Sequence, residues 1–260
     1  MNSTIVQHMI LWQNSARIDF ETMINWKDRD ICLKAEFPVD VNTDRATYEI
    51  QYGHLVRNTH ANTSWDQAKF EVCAHKWADL SDNGFGMSLM NDCKYGHDAL
   101  NGNLRITLLR STCYPNPDAD KEVHCFTYSI LPHSGDWRNA STVRVAYDIN
   151  VPVITVIGGN GSLPPKLAFA EISEENIILE VIKQAENADG VILRLYDAWN
   201  RSGTCRVKLF AEIVSVEECD LMEKRIGDAS FQGNILTFNY KPFEIKTFRI
   251  KLKRCKYVTN

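Results

Sequence analysis

The chain has 260 residues, which at about 150 per domain means one large domain or two modest ones. It is 44% hydrophobic and 24% charged, so it can bury a core and overall disorder is excluded. With 29 lysines and arginines against 33 aspartates and glutamates the net charge is −4, and no clustered positive face offers itself to nucleic acid or anionic lipid.

At the amino terminus Ile5-Val6 is interrupted by Gln7-His8 before Met9 to Trp12. With no basic n-region and no unbroken apolar stretch, this does not read as a signal peptide. Asp19 to Trp26 is expected to form a helical turn or two. Thr47 to Tyr52 alternates polar and apolar residues, as do Phe70, Val72 and Ala74 against Glu71, Cys73 and His75. Leu104, Ile106 and Leu108 alternate with Arg105 and Thr107, and Val143, Val145 and Tyr147 with Arg144 and Ala146. A period of two marks half-buried strands, and all of these are read as such. After Val151 to Ile157, an apolar run too short and too broken by Pro152 to span a bilayer, comes Gly158 to Pro165, rich in glycine and proline. Val216 to Arg225 is expected to supply a second short helix, and Phe243 to Leu252 a last strand. Turn chemistry punctuates the runs at Ser81 to Gly84, Asn101-Gly102-Asn103, Pro115 to Asp118, Asp189-Gly190 and Gln232-Gly233-Asn234.

About fifteen short strands at this spacing predict an all-β chain of antiparallel β-sandwiches. The expected boundaries are a first domain over 1–157, a linker over 158–166 and a second domain over 167–260. Cysteines at 32, 73, 93, 113, 125, 205, 219 and 255 show no metal or redox spacing and are read as reduced thiols. Five Asn-x-Ser/Thr triplets, at Asn2, Asn62, Asn139, Asn160 and Asn200, then have no export route, and the expected location is cytoplasmic.

Dinucleotide-binding, Walker, zincin and nucleophile-elbow motifs are all missing, and the scattered histidines 54, 60, 75, 97, 124 and 133 lack zinc-ligand spacing. Polar and aromatic residues concentrate between Arg57 and Tyr95: Arg57 to Asp66, His75 to Ser81, and Asn91 to Gly96. Tryptophan faces stack on a pyranose while carboxylates, amides and lysines bond its hydroxyls, so Trp65 and Trp77 beside Asp66, Asp79 and Asp92 are compatible with a sugar. Tryptophan in a sandwich is more often core, however, and Asp79 to Gly84 makes a good hairpin loop.

The same stretch resembles the carboxy-terminal region of the α-mannosidases of glycoside hydrolase family 38, in the cytosolic and bacterial branch. Resembling segments run in order along nearly the whole chain: Arg17 to Thr22 with Asn25-Trp26, Leu33 to Pro38, Tyr48 to Gly53, and Arg57 to Asp66. They continue through Phe70-Glu71-Val72, His75 to Ser81, Asn91 to Gly96, Leu108 to Ser111 and His124-x-Phe126-x-Tyr128, and end with Ile192 to Tyr196 and Lys241 to Thr247. The resemblance implies that the first block is the later part of a large, galactose-mutarotase-like β-supersandwich and the second a smaller terminal β-sandwich. It also implies a parent enzyme that hydrolyses α-mannosidic linkages with retention, through an aspartate nucleophile and a divalent metal, usually zinc. Those groups belong to an amino-terminal (β/α) barrel with no counterpart here, so no catalytic or metal-binding residue is carried over and no cofactor is expected in this chain. The implied partners are that barrel and, through it, a mannoside; a homo-oligomer is possible on the same grounds, while nucleic acid and membrane are not expected. Arg57, His60, Trp65, His75, Trp77, Asp79, Asn91, Asp92, Lys94 and Tyr95 are the candidates for a barrel- or sugar-facing rim. The alternatives are an independent carbohydrate-binding module or a self-associating interaction domain.

Overall fold

The structure, a computed structural model, describes residues 2–157 and 164–253, so most of the expected linker lies outside the described residues. The chain divides into two units, Met1–Ile154 and Thr155–Asn260. In chain order the first contains β1 (Thr4–Leu11), β2 (Ile18–Asn25), β3 (Leu33–Pro38), β4 (Arg45–Ile50), β5 (Gly53–Asn58), α1 (Ser64–Gln67) and β6 (Val72–Cys73). There follow β7 (Trp77–Ser81), β8 (Phe85–Asn91), β9 (Gly96–Leu100), β10 (Asn103–Leu109), β11 (Val123–Ser134) and α2 (Thr142–Asn150). The second unit contains β12 (Ala170–Ile172), β13 (Ile177–Gln184), β14 (Val191–Asp197), β15 (Gly203–Leu209), β16 (Ile213–Cys219), β17 (Arg225–Asp228), β18 (Ser230–Gln232), β19 (Ile235–Tyr240) and β20 (Ile245–Leu252). Among the described residues no helix is long and apolar enough to cross a membrane, and all seven cysteines are free thiols.

Each unit is a sandwich of two antiparallel sheets. In the first, a seven-stranded sheet ordered β1-β2-β11-β8-β7-β4-β5 faces a four-stranded sheet ordered β3-β10-β9-β6. Their facing side chains, among them Phe20, Ile24, Tyr48, Leu80, Leu89, Leu104, Ile106 and Tyr128, form one core. The Phe20 and Tyr128 rings stack at 5.1 Å, and Phe37 closes on Phe20 at 5.8 Å. In the second unit β12-β15-β19-β18 faces β13-β14-β20-β16-β17 around Leu193, Leu195, Val207, Leu236, Phe238, Phe248 and Ile250. Each such side chain contributes about 1.5–3 kcal/mol of transfer free energy. Asn101 (φ 52°) and Gly102 (φ 75°) both take the left-handed conformation that a two-residue hairpin between β9 and β10 requires.

Three expected elements differ. Asp19 to Trp26 is not helical: β2 runs there, and burial of Phe20, Thr22, Ile24 and Trp26 follows a period of two. Nor is Val216 to Arg225 a helix. β16 continues to Cys219, where Asp220 accepts the backbone N–H groups of Met222 and Lys224, each at 2.9 Å, and the side chain thus takes the bonds a helix would have used. Conversely, Val143, Val145 and Tyr147 lie on α2, whose buried residues Thr142, Val143 and Ala146 share one helical face. Three alternating β-branched or aromatic residues are too short a run to separate the two periods. Around Val72 only two residues form a strand, and Phe70 is exposed.

The two sheets of the first unit differ in width. Ile5, Met9 and Leu11 of the edge strand β1 pair with Ile24, Phe20 and Ile18, and so share the sheet's core-facing side. The four-stranded sheet ends at β3 and leaves them uncovered, at 51%, 64% and 69% exposed.

Within the four-stranded sheet, His97 of β9 is fully buried, and neither ring nitrogen has a hydrogen-bond partner among the described residues. Burial pushes its pKa down to about 4, and the nearby Tyr95 backbone and the Asp98 and Glu71 carboxylates offset only part of that. Between pH 6.5 and 4 the unfolded chain therefore binds a proton that the folded one refuses. The first unit should have full stability from this source above pH 6.5, lose up to about 3 kcal/mol on acidification to pH 4, and lose no more of it below. Urea unfolding of His97→Leu across this range should show most of that slope removed. His75, also held below its usual value by burial and by Lys76, leaves a remainder of the same sign.

Candidate functional site

β7 and β8 are central strands, and β7 is buried on both faces. Ala78 and Leu80 point to the second sheet, while Trp77 and Asp79 point the other way, under α2 and the segment leading into it. There Trp77 meets the Trp137 ring at 4.9 Å, and the Arg138 guanidinium lies 4.4 Å over Trp137. Asp79 accepts hydrogen bonds from the Ser81 and Ser88 hydroxyls, each at 2.7 Å, and His133 Nε2 stands 2.8 Å from its Oδ2. A carboxylate only accepts, so Nε2 carries the proton. Ser88 gives its own proton to Asp79, which makes the Thr142 hydroxyl, 2.7 Å away on α2, the donor to Ser88. The group looks like a Ser-His-Asp constellation, but the serine donates to the aspartate rather than to the imidazole and is sealed from solvent. It fastens α2 to the sheet.

Trp77 and Asp79 (1% exposed) and Asn91 (0%) are therefore interior residues, a correction to their expected place on a rim. Asn91 ties two segments: its Nδ2 donates to the His75 carbonyl at 2.9 Å, and its Oδ1 accepts the Lys94 N–H at 2.6 Å. Asn150 of α2 donates to the Asn91 carbonyl at 2.9 Å. This scaffold presents a surface group. The His75 and Tyr95 rings approach to 5.2 Å, Lys94 lies 4.4 Å over the Phe126 ring, and Asp92 accepts the Thr127 N–H at 2.8 Å. Beneath them the buried Glu49 accepts both the backbone N–H of Lys76 (2.6 Å) and its ammonium (3.1 Å), and that ammonium also lies 4.5 Å over Tyr147.

The remaining candidates lie elsewhere. Arg57 and His60 line a cleft of about 210 Å³ whose other polar walls are Tyr48, Asn58, Asp66, Lys69 and Asp98. The Thr63 hydroxyl, bonded at 2.7 Å, holds the Asp66 carboxyl below its usual range, with Lys69 and His60 assisting. Burial pushes the Tyr48 phenol up, and Asp98 adds to this. Trp65 projects from α1, 80% exposed. Nine of the ten candidates thus fall into an interior set, a surface set and a cleft set, and Trp65 stands apart from all three. Sequence reasoning missed Tyr48, Lys69 and Asp98 in the cleft and Glu49, Lys76, Tyr147 and Asn150 under the surface set. Lys69 and Lys76 sit within the polar stretch already noted; the others come from distant strands and from α2, and carry no local signal.

Residues 1–118 match the family model for the glycosyl hydrolases family 38 C-terminal domain, and residues 176–248 that for the family's C-terminal β-sandwich domain. The chain belongs to the carboxy-terminal region of glycoside hydrolase family 38. Human alpha-mannosidase 2C1 is 36% identical over 257 residues, covering 97% of this chain and 25% of that protein. Alpha-mannosidase G of Dictyostelium discoideum is 40% identical over 255 residues, covering 95% and 23%. The chain spans about a quarter of the length of the curated relatives it matches. The crystal structure of an alpha-mannosidase from Enterococcus faecalis V583 superposes with a TM-score of 0.80 at 19% identity, over 95% of this chain and 29% of that one. All ten candidate residues fall inside the first family match. For the metal that the family resemblance implies, the donor set does not fit: no group of three or more His, Cys, Asp or Glu side chains that could hold an ion occurs among the described residues.

Proposed function

We propose that this chain supplies the non-catalytic carboxy-terminal β domains of a retaining α-mannosidase. In this reading it supports a catalytic barrel formed by another part of the same enzyme, and its surface set borders the sugar cleft. The observation that supports this most is the uneven sandwich: the core-facing side of β1 carries Ile5, Met9 and Leu11, and nothing in the facing sheet covers them. An apolar stripe on the core side of a sheet calls for a covering layer. Trp65, His75, Lys94 and Tyr95, exposed or half-buried, are the side chains available to a sugar or a barrel loop. The free thiols agree with a reducing, cytoplasmic location.

Two measurements test this. The purified chain should not hydrolyse an aryl α-mannoside, with or without added zinc; turnover that copurifies with it overturns the reading. Co-expressed with Dictyostelium alpha-mannosidase G lacking its matching region, the chain should form a complex with mannosidase activity. The triple variant Ile5→Ser, Met9→Ser, Leu11→Ser, altered only at exposed positions, should fold but fail to assemble. No complex with the unaltered chain, or a chain that only pairs with itself in light scattering, overturns the proposal.

A further inference from the structure

The cleft between β5, α1 and β9 is lined by a cation, Arg57, whose charge no carboxylate among the described residues takes up. Asp98 is already engaged, accepting hydrogen bonds from Lys34 Nζ at 2.7 Å and Arg105 Nη1 at 2.8 Å. Asp66 accepts the Thr63 hydroxyl at 2.7 Å and has Lys69 Nζ 3.7 Å away. Arg57, by contrast, enters no salt bridge among the described residues, and its Nε, screened from solvent, has no acceptor. His60 Nδ1, also screened from solvent, has no hydrogen-bond partner, the Asp66 carboxylate standing 4.0 Å away. Buried donors are ordinarily paired, and an unpaired one beside an open space points to an acceptor that enters from that space.

An arginine fork offers parallel N–H groups spaced for two oxygens of one planar or tetrahedral oxyanion, which a neutral hydroxyl cannot match. The cleft, about 210 Å³, is smaller than the roughly 300–1,000 Å³ of pockets that enclose drug-sized ligands, so it suits a group of a few heavy atoms. We propose that this cleft binds a small oxyanion, a phosphate or carboxylate group, gripped by the Arg57 guanidinium with His60 and Lys69 beside it. The ligand is either a free ion or the anionic end of a small metabolite. The inference does not depend on the mannosidase reading, since assembly with a barrel and binding of an anion are read in separate experiments.

The test is calorimetric titration of the chain at low ionic strength with inorganic phosphate, acetate, a hexose 6-phosphate and, as a neutral control, mannose. Saturable binding of phosphate or acetate is expected, at about millimolar or tighter. Arg57→Gln should weaken it at least tenfold, Arg57→Lys should restore only part, and Lys69→Gln should weaken it severalfold. Tighter binding of the hexose phosphate than of phosphate assigns the anion to a metabolite; equal binding assigns it to the free ion. Circular dichroism of each variant checks the fold, and if Arg57→Gln unfolds, the exposed Lys69→Gln carries the comparison. No saturation with any anion by about 10 mM overturns the proposal. Mannose binding as tightly as the anions, or affinity unchanged in the Arg57 and Lys69 variants, overturns it as well.

Discussion

Asp197→Ala is expected to destabilise the second unit by about 3–5 kcal/mol, the cost of leaving several buried donors without their shared acceptor. Asp197 ends β14 and is wholly buried. Its Oδ1 accepts the Asn176 side-chain amide at 2.7 Å and the Trp199 N–H at 3.1 Å, and its Oδ2 accepts the backbone N–H groups of Arg201 at 2.9 Å and Phe243 at 3.0 Å. One carboxylate thus closes the loop from β14 to β15 and pins the turn before β20. Asn176 also meets the Tyr240 hydroxyl at 3.0 Å, which extends the network to the other sheet. Alanine leaves four donors without an acceptor, and each such loss costs about 1–3 kcal/mol, with less than full additivity. A domain holds only about 5–15 kcal/mol in total, so the variant sits near its folding threshold. Asp197→Asn should cost less, because it keeps the volume and the two bonds to one oxygen while setting an amide N–H against two backbone donors. Hydrogen exchange read by mass spectrometry resolves the two units: peptides around Arg201 and Phe243 should lose protection while those of the first unit do not. A loss below about 1 kcal/mol would show that water can replace the carboxylate.

The all-β class was legible because alternation at Tyr48, Ile106 and Phe248 reflects a backbone period that no tertiary context alters. Turn positions were legible for a similar reason, since Asn101-Gly102 and Gly233 are among the few residues that tolerate a left-handed backbone cheaply. The candidate site was legible only as a stretch of sequence. Whether a residue in that stretch faces water depends on what covers its strand, and α2 provides that cover for Trp77 and Asp79. Trp77 and Asp79 are rim candidates only through their place in the resembling stretch, and reading Val143, Val145 and Tyr147 as a strand offers no helix to cover them. Asn91 was misplaced for a different reason. Its amide satisfies the backbone of His75 and Lys94, and a side chain serving the main chain has the same letter as one serving a ligand. The cleft was half legible: Arg57, His60, Asp66 and Lys69 are close in sequence, while Tyr48 and Asp98 reach it only through pairing of β4 with β5 and of β9 with β10 and β6.

Asp79→Ala separates the two roles that this residue could have. As the hub of the fastener it should cost the first unit about 3–5 kcal/mol, because it strands the Ser81 and Ser88 hydroxyls and the His133 imidazole inside the protein. With a urea dependence of about 1–3 kcal/mol per molar, the unfolding midpoint should fall by at least about 1 M. The loss should spread to α2, whose Thr142 reaches the network through Ser88, and exchange should rise along residues 142–150. Neighbouring sequence is committed to the same arrangement: a Cβ at Gly86 would collide with the Ser81 side chain and the His133 ring, so glycine leaves the room in which His133 closes on Asp79. Ser88→Ala should be milder, about 1–2 kcal/mol, since Asp79 keeps Ser81 and His133. The rim role predicts the opposite pattern. If Asp79 met a barrel or a sugar, Asp79→Ala would leave the isolated chain as stable as before and weaken only assembly with the rest of the enzyme. A carboxylate that is 1% exposed and carries three side-chain partners on its own chain predicts instead that stability falls first, and that assembly fails only as a consequence.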